Sequence, residues 1–110
     1  MKGFKFDISK MEKLNDPERL KDIPPGYIWH KMQLEKPRTL LDIGAGTGFF
    51  SKEFVQMPGV DKVYALDIAD EMIAWMEEYL VADYPGVKPM KMEESSVPLS
   101  DGIADGIIMI

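Results

Sequence analysis

An acid at the end of an apolar run is followed by glycines at alternate positions: Leu41-Asp42-Ile43-Gly44-Ala45-Gly46-Thr47-Gly48. Without a β-carbon, Gly44 and Gly46 can take positive φ and let a ligand approach the backbone closely. A helix opening directly after such a turn offers free amide donors to an anionic group. A second apolar run, Val63-Tyr64-Ala65-Leu66, ends in Asp67. A carboxylate there can accept the hydrogen bonds of two ribose hydroxyls, and Ile68 would then lie against the flat face of a base. Together these residues point to a nucleoside-bearing cofactor. Spacing narrows the choice. A dinucleotide fingerprint, G-x-G-x-x-G, needs glycine where Phe49 stands, and a phosphate-binding G-x-x-x-x-G-K-[ST] loop needs a lysine closer than Lys52. The pattern present is D-x-G-x-G-x-G. The bland alternatives are a ligand-free glycine turn and an Asp67 that merely caps the next helix, although Asp70 is better placed to cap.

These residues require a strand–turn–helix frame, and the chain supplies one from Arg38 onward. Thr39 to Ile43 reads as a short strand. Thr47 to Met57 reads as a helix with Phe50, Phe54 and Met57 on one side. Pro58-Gly59 stops it, and Lys62 to Asp67 is the second strand. Asp70 is expected to cap a helix whose Met72, Ile73, Met76, Tyr79 and Leu80 form an apolar stripe. Val87 to Met92 reads as an edge strand, because Pro89 lacks a donor. Ser95 to Gly102 is a loop. Asp105 to Ile110 is a final strand, apolar on both faces and so expected to lie inside a sheet. Alternation of this kind implies an α/β fold: a parallel sheet with flanking helices, joined by right-handed crossovers. The expected units are an N-terminal helical segment, 1–36, and a ligand-binding domain, 37–110. Within 1–36, Ile8, Met11 and Leu14 suggest one helix and Asp16-Pro17-Glu18-Arg19 starts a second. Pro24-Pro25-Gly26 breaks that one, and Tyr27 to Lys36 suggests a third. Because the sequence stops on an interior-type strand, the expectation is either a fragment of a longer protein or an open edge, 105–110, that pairs with a second copy.

Composition bounds the possibilities. The 110 residues suffice for one domain with a modest core. Cysteine is absent and net charge is −6. Disulfides, thiolate metal sites and cysteine nucleophiles are thereby excluded. No His/Asp/Glu cluster has metal-ligand spacing, so no metal is expected. The acidity disfavours nucleic-acid partners. No apolar run approaches the roughly 18 residues of a membrane span, and Met1-Lys2-Gly3-Phe4-Lys5 is followed by no apolar signal core. A cytoplasmic location is the expectation. The nine methionines read as adaptable core filling. His30 is the single histidine and a weak candidate for a catalytic base; with Tyr27 and Trp29 it reads more readily as helix surface and packing.

Three segments in order extend this reading. They are Asp42 to Gly48, Asp67-Ile68-Ala69-Asp70-Glu71-Met72, and Glu93-Glu94-Ser95-Ser96-Val97-Pro98-Leu99-Ser100-Asp101-Gly102-Ile103-Ala104-Asp105. Over about residues 38–110 the chain resembles the Rossmann-like class I S-adenosylmethionine-dependent methyltransferases, small-molecule type. The resemblance implies that Asp42, Gly44, Ala45, Gly46 and Gly48 hold the methionine end of the cofactor. It implies that Asp67 holds the ribose, that Ile68 and Met72 border the adenosine, and that Glu93 and Glu94 meet the adenine. Glu93 stands where the family usually has Asp, and Glu94 where it usually has Ala. The implied product is S-adenosylhomocysteine and the implied partner a small-molecule acceptor, with residues 1–36 as a helical lid on the acceptor side of the S-adenosylmethionine-binding domain. A cofactor-binding module without activity is the alternative, and a nicotinamide-dependent oxidoreductase fails on Phe49.

Overall fold

A computed structural model describes residues 6–35, 38–94, 96–99 and 102–110. The helices are α1 (Ile8–Leu14), α2 (Arg19–Asp22), α3 (Pro25–Met32), α4 (Phe49–Val55) and α5 (Asp70–Tyr79). The strands are β1 (Thr39–Ile43), β2 (Lys62–Asp67), β3 (Val87–Lys91) and β4 (Gly106–Met109). They form one parallel sheet in the order β3-β2-β1-β4. The chain steps outward from β1 through β2 to β3, then returns to the other side of β1. Ligands of such sheets bind beyond the carboxyl ends of the strands at the point where the order reverses, and here that point adjoins β1 and its glycine turn.

Strand register sorts the side chains onto two faces. Leu40, Val63 and Ile108 pack with Phe49, Phe50 and Phe54 of α4. Leu20, Ile23, Ile28, Trp29, Met32 and Leu34 extend that cluster, so α2 and α3 share its core. Ala65 and Val87 pack with Ile73, Met76 and Leu80 from α5 and its end. The opposite face is different. Leu41, Leu66 and Met92 form a small cluster there, joined by Ile43, Tyr64, Met90, Leu99 and Ala104, with no helix residue among them. On β4 the alternation is visible directly: Ile108 is 4% exposed, while Ile107 and Met109 are 61% and 72% exposed.

Several element limits differ from the sequence expectation, each for a local reason. Helix α4 begins at Phe49 rather than Thr47, because Gly46 and Gly48 hold left-handed backbone that no α-helix contains; it ends at Val55 rather than Met57. Helix α3 begins earlier than Tyr27, at Pro25, since a proline in the first turn needs no intrahelical donor. Gln33, at φ 50°, ends it. The expected end at Lys36-Pro37 lies outside the described residues, as does the boundary between 36 and 37. Asp70 does not cap α5; Ala69 occupies the cap without a side-chain bond, and Asp70 instead accepts from Lys91 Nζ at 2.7 Å. Strand β3 is an edge strand, as Pro89 requires. The final strand spans Gly106–Met109 and pairs with β1 alone, so within the described residues it is also an edge. No helix among the described residues is long and apolar enough to cross a membrane.

Candidate functional site

The glycine turn folds onto the end of β2. Leu66 carbonyl accepts from both Gly44 and Ala45 N–H, each at 2.9 Å. Asp67 completes the junction: Oδ2 accepts from Gly46 N–H and Oδ1 from Ala69 N–H, each at 2.9 Å. Every carboxylate oxygen keeps further acceptor capacity after one such bond, so Asp67 can hold the turn and still receive hydroxyls. Met92 N–H bonds to Asp67 carbonyl at 3.0 Å, which brings the start of the Glu93-Glu94 segment to the same strand end.

The remaining sequence-indicated residues separate by position. Gly44, at φ 73°, is exposed, and a β-carbon added to it would meet nothing within 4 Å. Ile68 is 54% exposed beside Asp67. Ala45 is half-buried against the α5 cluster, and Met72 is 5% exposed in the first turn of α5. Glu93 and Glu94 are exposed, and Glu93 forms an isolated bridge with Ser96. Gly48 faces away from the open side of the turn: an added β-carbon would collide with Leu80 and lie 3.0 Å from the Met76 sulfur. Its glycine is required by packing on α5. His30 is exposed on α3 and, among the described residues, makes no hydrogen bond or ion pair with the turn, Asp42 or Asp67.

Asp42 is buried, 2% exposed, on the helix side of β1. Its Oδ2 accepts from Ser51 Oγ at 2.6 Å. Burial pushes its carboxyl up from 3.8 to about 6, and the nearby Asp67 charge adds to the rise; the Ser51 bond and the Arg19 charge act the other way. Asp42 therefore ties β1 to α4 through Ser51, in a setting where its charge costs free energy unless a cation approaches.

The N-terminal segment reaches this site through residues that sequence spacing did not single out. Thr47 hydroxyl donates to Asn15 Oδ1 at 2.8 Å. Leu14 Cδ1 lies 4.0 Å from where a Gly46 β-carbon would stand. The Arg19 guanidinium lies over the rings of Phe50 and Phe49, 4.8 and 5.6 Å from their centroids, and its Nη1 donates to Leu14 carbonyl at 2.6 Å. At the other end of α1, Asp7 N–H and Lys10 Nζ both meet Glu71, while Phe6 packs edge-on against Trp75. Helix α1 thus runs from α5 to the glycine turn. Only tertiary contact joins Asn15, Arg19 and Thr47. Ser51 had a weak local signal, as the polar residue sharing the buried face of α4 with Phe50 and Phe54.

Two further features lie elsewhere. An apolar cleft of about 350 Å³, lined by Leu41, Ile43, Leu99, Ala104 and Ile107 among others, opens on the helix-free face of the sheet. Among the described residues, no group of three or more His, Asp or Glu side chains could hold a metal ion.

The methyltransferase domain family matches residues 40–110. A SAM-dependent methyltransferase from Aquifex aeolicus is 37% identical, with a TM-score of 0.79 over 96% of this chain and 57% of that one. A structure from Methanococcus maripaludis, provisionally described as an S-adenosyl-L-methionine-dependent methyltransferase, is 19% identical with a TM-score of 0.75 over 99% of this chain and 53% of that one. A provisionally described methyltransferase from Haloferax volcanii, in complex with the Trm112 methyltransferase activator, is 17% identical with a TM-score of 0.66 over 93% of this chain and 44% of that one. The last two show the fold alone. This chain spans little more than half of the Aquifex structure's length, and less of the Haloferax one. No curated protein matches significantly. With the family match covering most of the chain, the parallel 3-2-1-4 sheet and the D-x-G-x-G-x-G turn set against Asp67, the chain belongs to the class I S-adenosylmethionine-dependent methyltransferases.

Proposed function

We propose that this chain binds S-adenosylmethionine beyond the carboxyl ends of β1, β2 and β3 and takes part in methyl transfer to a small-molecule acceptor, with S-adenosylhomocysteine as product. The observation that carries this reading is the Asp67 carboxylate, fixed by Gly46 and Ala69 amides beside the open backbone of Gly44. The residues present fit the cofactor. Asp67 has acceptor capacity for two ribose hydroxyls, Ile68 offers an exposed apolar side chain to a base, and Gly44 leaves room for close approach. Glu93 or the Glu94 amide would meet the adenine edge, and Ala45, Gly46 and Met72 would border the cofactor.

When bound, the cofactor supplies an activated sulfonium methyl. In-line displacement on such a group needs positioning and exclusion of water more than a charged catalyst. Asp67 and the glycine turn would fix the adenosyl end. Helix α1, tied to α5 and to Thr47, would cover the site and keep water out. His30 is exposed and is assigned no proton transfer. The acidic chain favours a small acceptor over a phosphate polymer.

The test is a calorimetric titration with S-adenosylmethionine. Asp67→Ala should weaken binding about 100-fold or more, the size of two charge-assisted hydrogen bonds; an unchanged dissociation constant would sink the ribose assignment. A second reading, a binding module without turnover, is favoured by the sheet-face cluster of Leu41, Leu66 and Met92, which among the described residues includes no helix residue. Transfer of labelled methyl to any acceptor by this chain would reject that reading.

A further inference from the structure

We infer that helix α1 is a strap hinged at the glycine turn and closed by a clasp at Glu71, and that its opening sets the rate at which the cofactor enters and leaves. The part of this inference that concerns rates rests on the S-adenosylmethionine reading above. The hinge end is Asn15, whose Oδ1 accepts from the Thr47 hydroxyl at 2.8 Å, with Leu14 beside Gly46. The clasp end is the first turn of α5, where one carboxylate holds the start of α1 twice. Glu71 Oε1 accepts from Asp7 N–H at 3.0 Å, and Oε2 lies 3.7 Å from Lys10 Nζ. Phe6 adds edge-on ring contacts with Trp75 and Tyr79, at centroid distances of 5.2 and 5.8 Å. Asp67 and Glu71 stand on either side of Ala69, the cap of α5, so the clasp adjoins the acid assigned to the ribose.

Between these two ends α1 is weakly held. Met11 is its one buried residue, while Ile8, Ser9, Lys10, Glu12 and Lys13 are exposed. None of the three apolar clusters among the described residues includes an α1 residue, whereas α2 brings Leu20 and α3 brings Ile28, Trp29 and Met32 to the cluster around Phe54. A helix of seven residues does not hold itself together in water and depends on its tertiary contacts. Elements with few buried apolar contacts open locally while the rest of a fold stays intact. Helix α1 therefore swings about Asn15 and Asp16 as a unit, and α2 and α3 remain packed. Glu71 governs that swing, because a hydrogen bond to a charged acceptor is stronger than a neutral one and no broad apolar layer shares the load. A cofactor that passes only beneath a raised strap must wait for this clasp to release.

Amide hydrogen exchange tests the clasp, and stopped-flow binding of S-adenosylmethionine tests the gate. The amides of Met11 and Asn15 donate to the carbonyls of Asp7 and Met11, and that of Lys52 in α4 donates to Gly48 carbonyl. Glu71→Ala should speed exchange at Met11 and Asn15 about tenfold or more, the size of a charge-assisted hydrogen bond, and leave Lys52 unchanged. Glu71→Gln, which can still accept from Asp7 N–H, should fall between. In the binding experiment Glu71→Ala should raise the association and dissociation rate constants by the same factor, so that Kd stays nearly constant. Unchanged exchange at Met11 and Asn15, or equal acceleration at Lys52, overturns the clasp. Faster exchange in α1 with unaltered rate constants, or with dissociation alone accelerated, overturns the gate and leaves the cofactor reading intact. Failure of the wild type to bind S-adenosylmethionine would defeat that reading and the gate with it, and the exchange comparison would still judge the clasp.

Discussion

Replacing Gly48 by alanine should destabilise the fold far more than replacing Gly44, although both glycines hold left-handed backbone at φ 79° and 73°. For either residue the left-handed conformation costs a β-carbon roughly 1–2 kcal/mol. At Gly44 nothing lies within 4 Å of the new methyl, so strain is the whole effect. At Gly48 the methyl would collide with Leu80 and crowd Met76 at 3.0 and 3.2 Å. Both neighbours belong to the buried α5 cluster and have little room to retreat. Overpacking of this kind adds about 1–3 kcal/mol, giving about 2–5 kcal/mol for Gly48→Ala. That is a large share of the roughly 5–15 kcal/mol that stabilises a typical domain. Urea unfolding followed by tryptophan fluorescence and far-ultraviolet dichroism measures both variants on one scale. Cofactor titration should rank them differently: Gly44→Ala, the less destabilised of the two, should bind poorly because its methyl enters the open approach to the turn. If Gly48→Ala unfolds at the same urea concentration as Gly44→Ala, the assignment of one glycine to packing and the other to the ligand is wrong.

Asp42 should make stability depend on pH in an unusual direction for a carboxylate. Its folded value of about 6 exceeds the ordinary 3.8, so its contribution to stability is full below 3.8 and is lost as pH rises through about 6. The two-unit rise corresponds to about 3 kcal/mol; Asp42→Asn should flatten the slope of the urea midpoint between those pH values, and equal slopes would remove Asp42 as the cause. The exposed Ile107 and Met109, on a strand that is an edge among the described residues, should make this chain self-associate. Sedimentation velocity should show Ile107→Lys shifting it toward monomer, and an unshifted distribution would locate the contact elsewhere.

The glycine turn and Asp67 were legible in the sequence because their chemistry depends on short-range facts. A β-carbon is present or absent at Gly44, and an acid does or does not end an apolar run. The parallel α/β architecture was legible for a similar reason, since strand and helix periods are local. Element limits were less so. Proline in a first turn permits a helix start that the same residue, read as a breaker, conceals at Pro25, and the same glycines that mark the turn delay α4 to Phe49.

Side-chain direction escaped the sequence entirely. Gly44 and Gly48 look equivalent in a repeating pattern, yet one opens to solvent and the other presses on Leu80, because the chain reverses direction between them. Asp42 stands one residue before the end of β1 and Asp67 at the end of β2, yet one meets Ser51 of α4 and the other faces the backbone amides of the turn. The contact of Asn15 with Thr47 and the seat of Arg19 on Phe50 join residues far apart in the chain. No local pattern specifies such contacts; they accompany the packing of Leu20 and Ile23, from α2 and its end, on the cluster that holds Phe49, Phe50 and Phe54. The sequence by itself determined the kind of backbone and acid that a nucleoside cofactor requires. Tertiary packing decided which glycine stands open and which presses on the helix layer, and which acid meets Ser51 and which the amides of the turn.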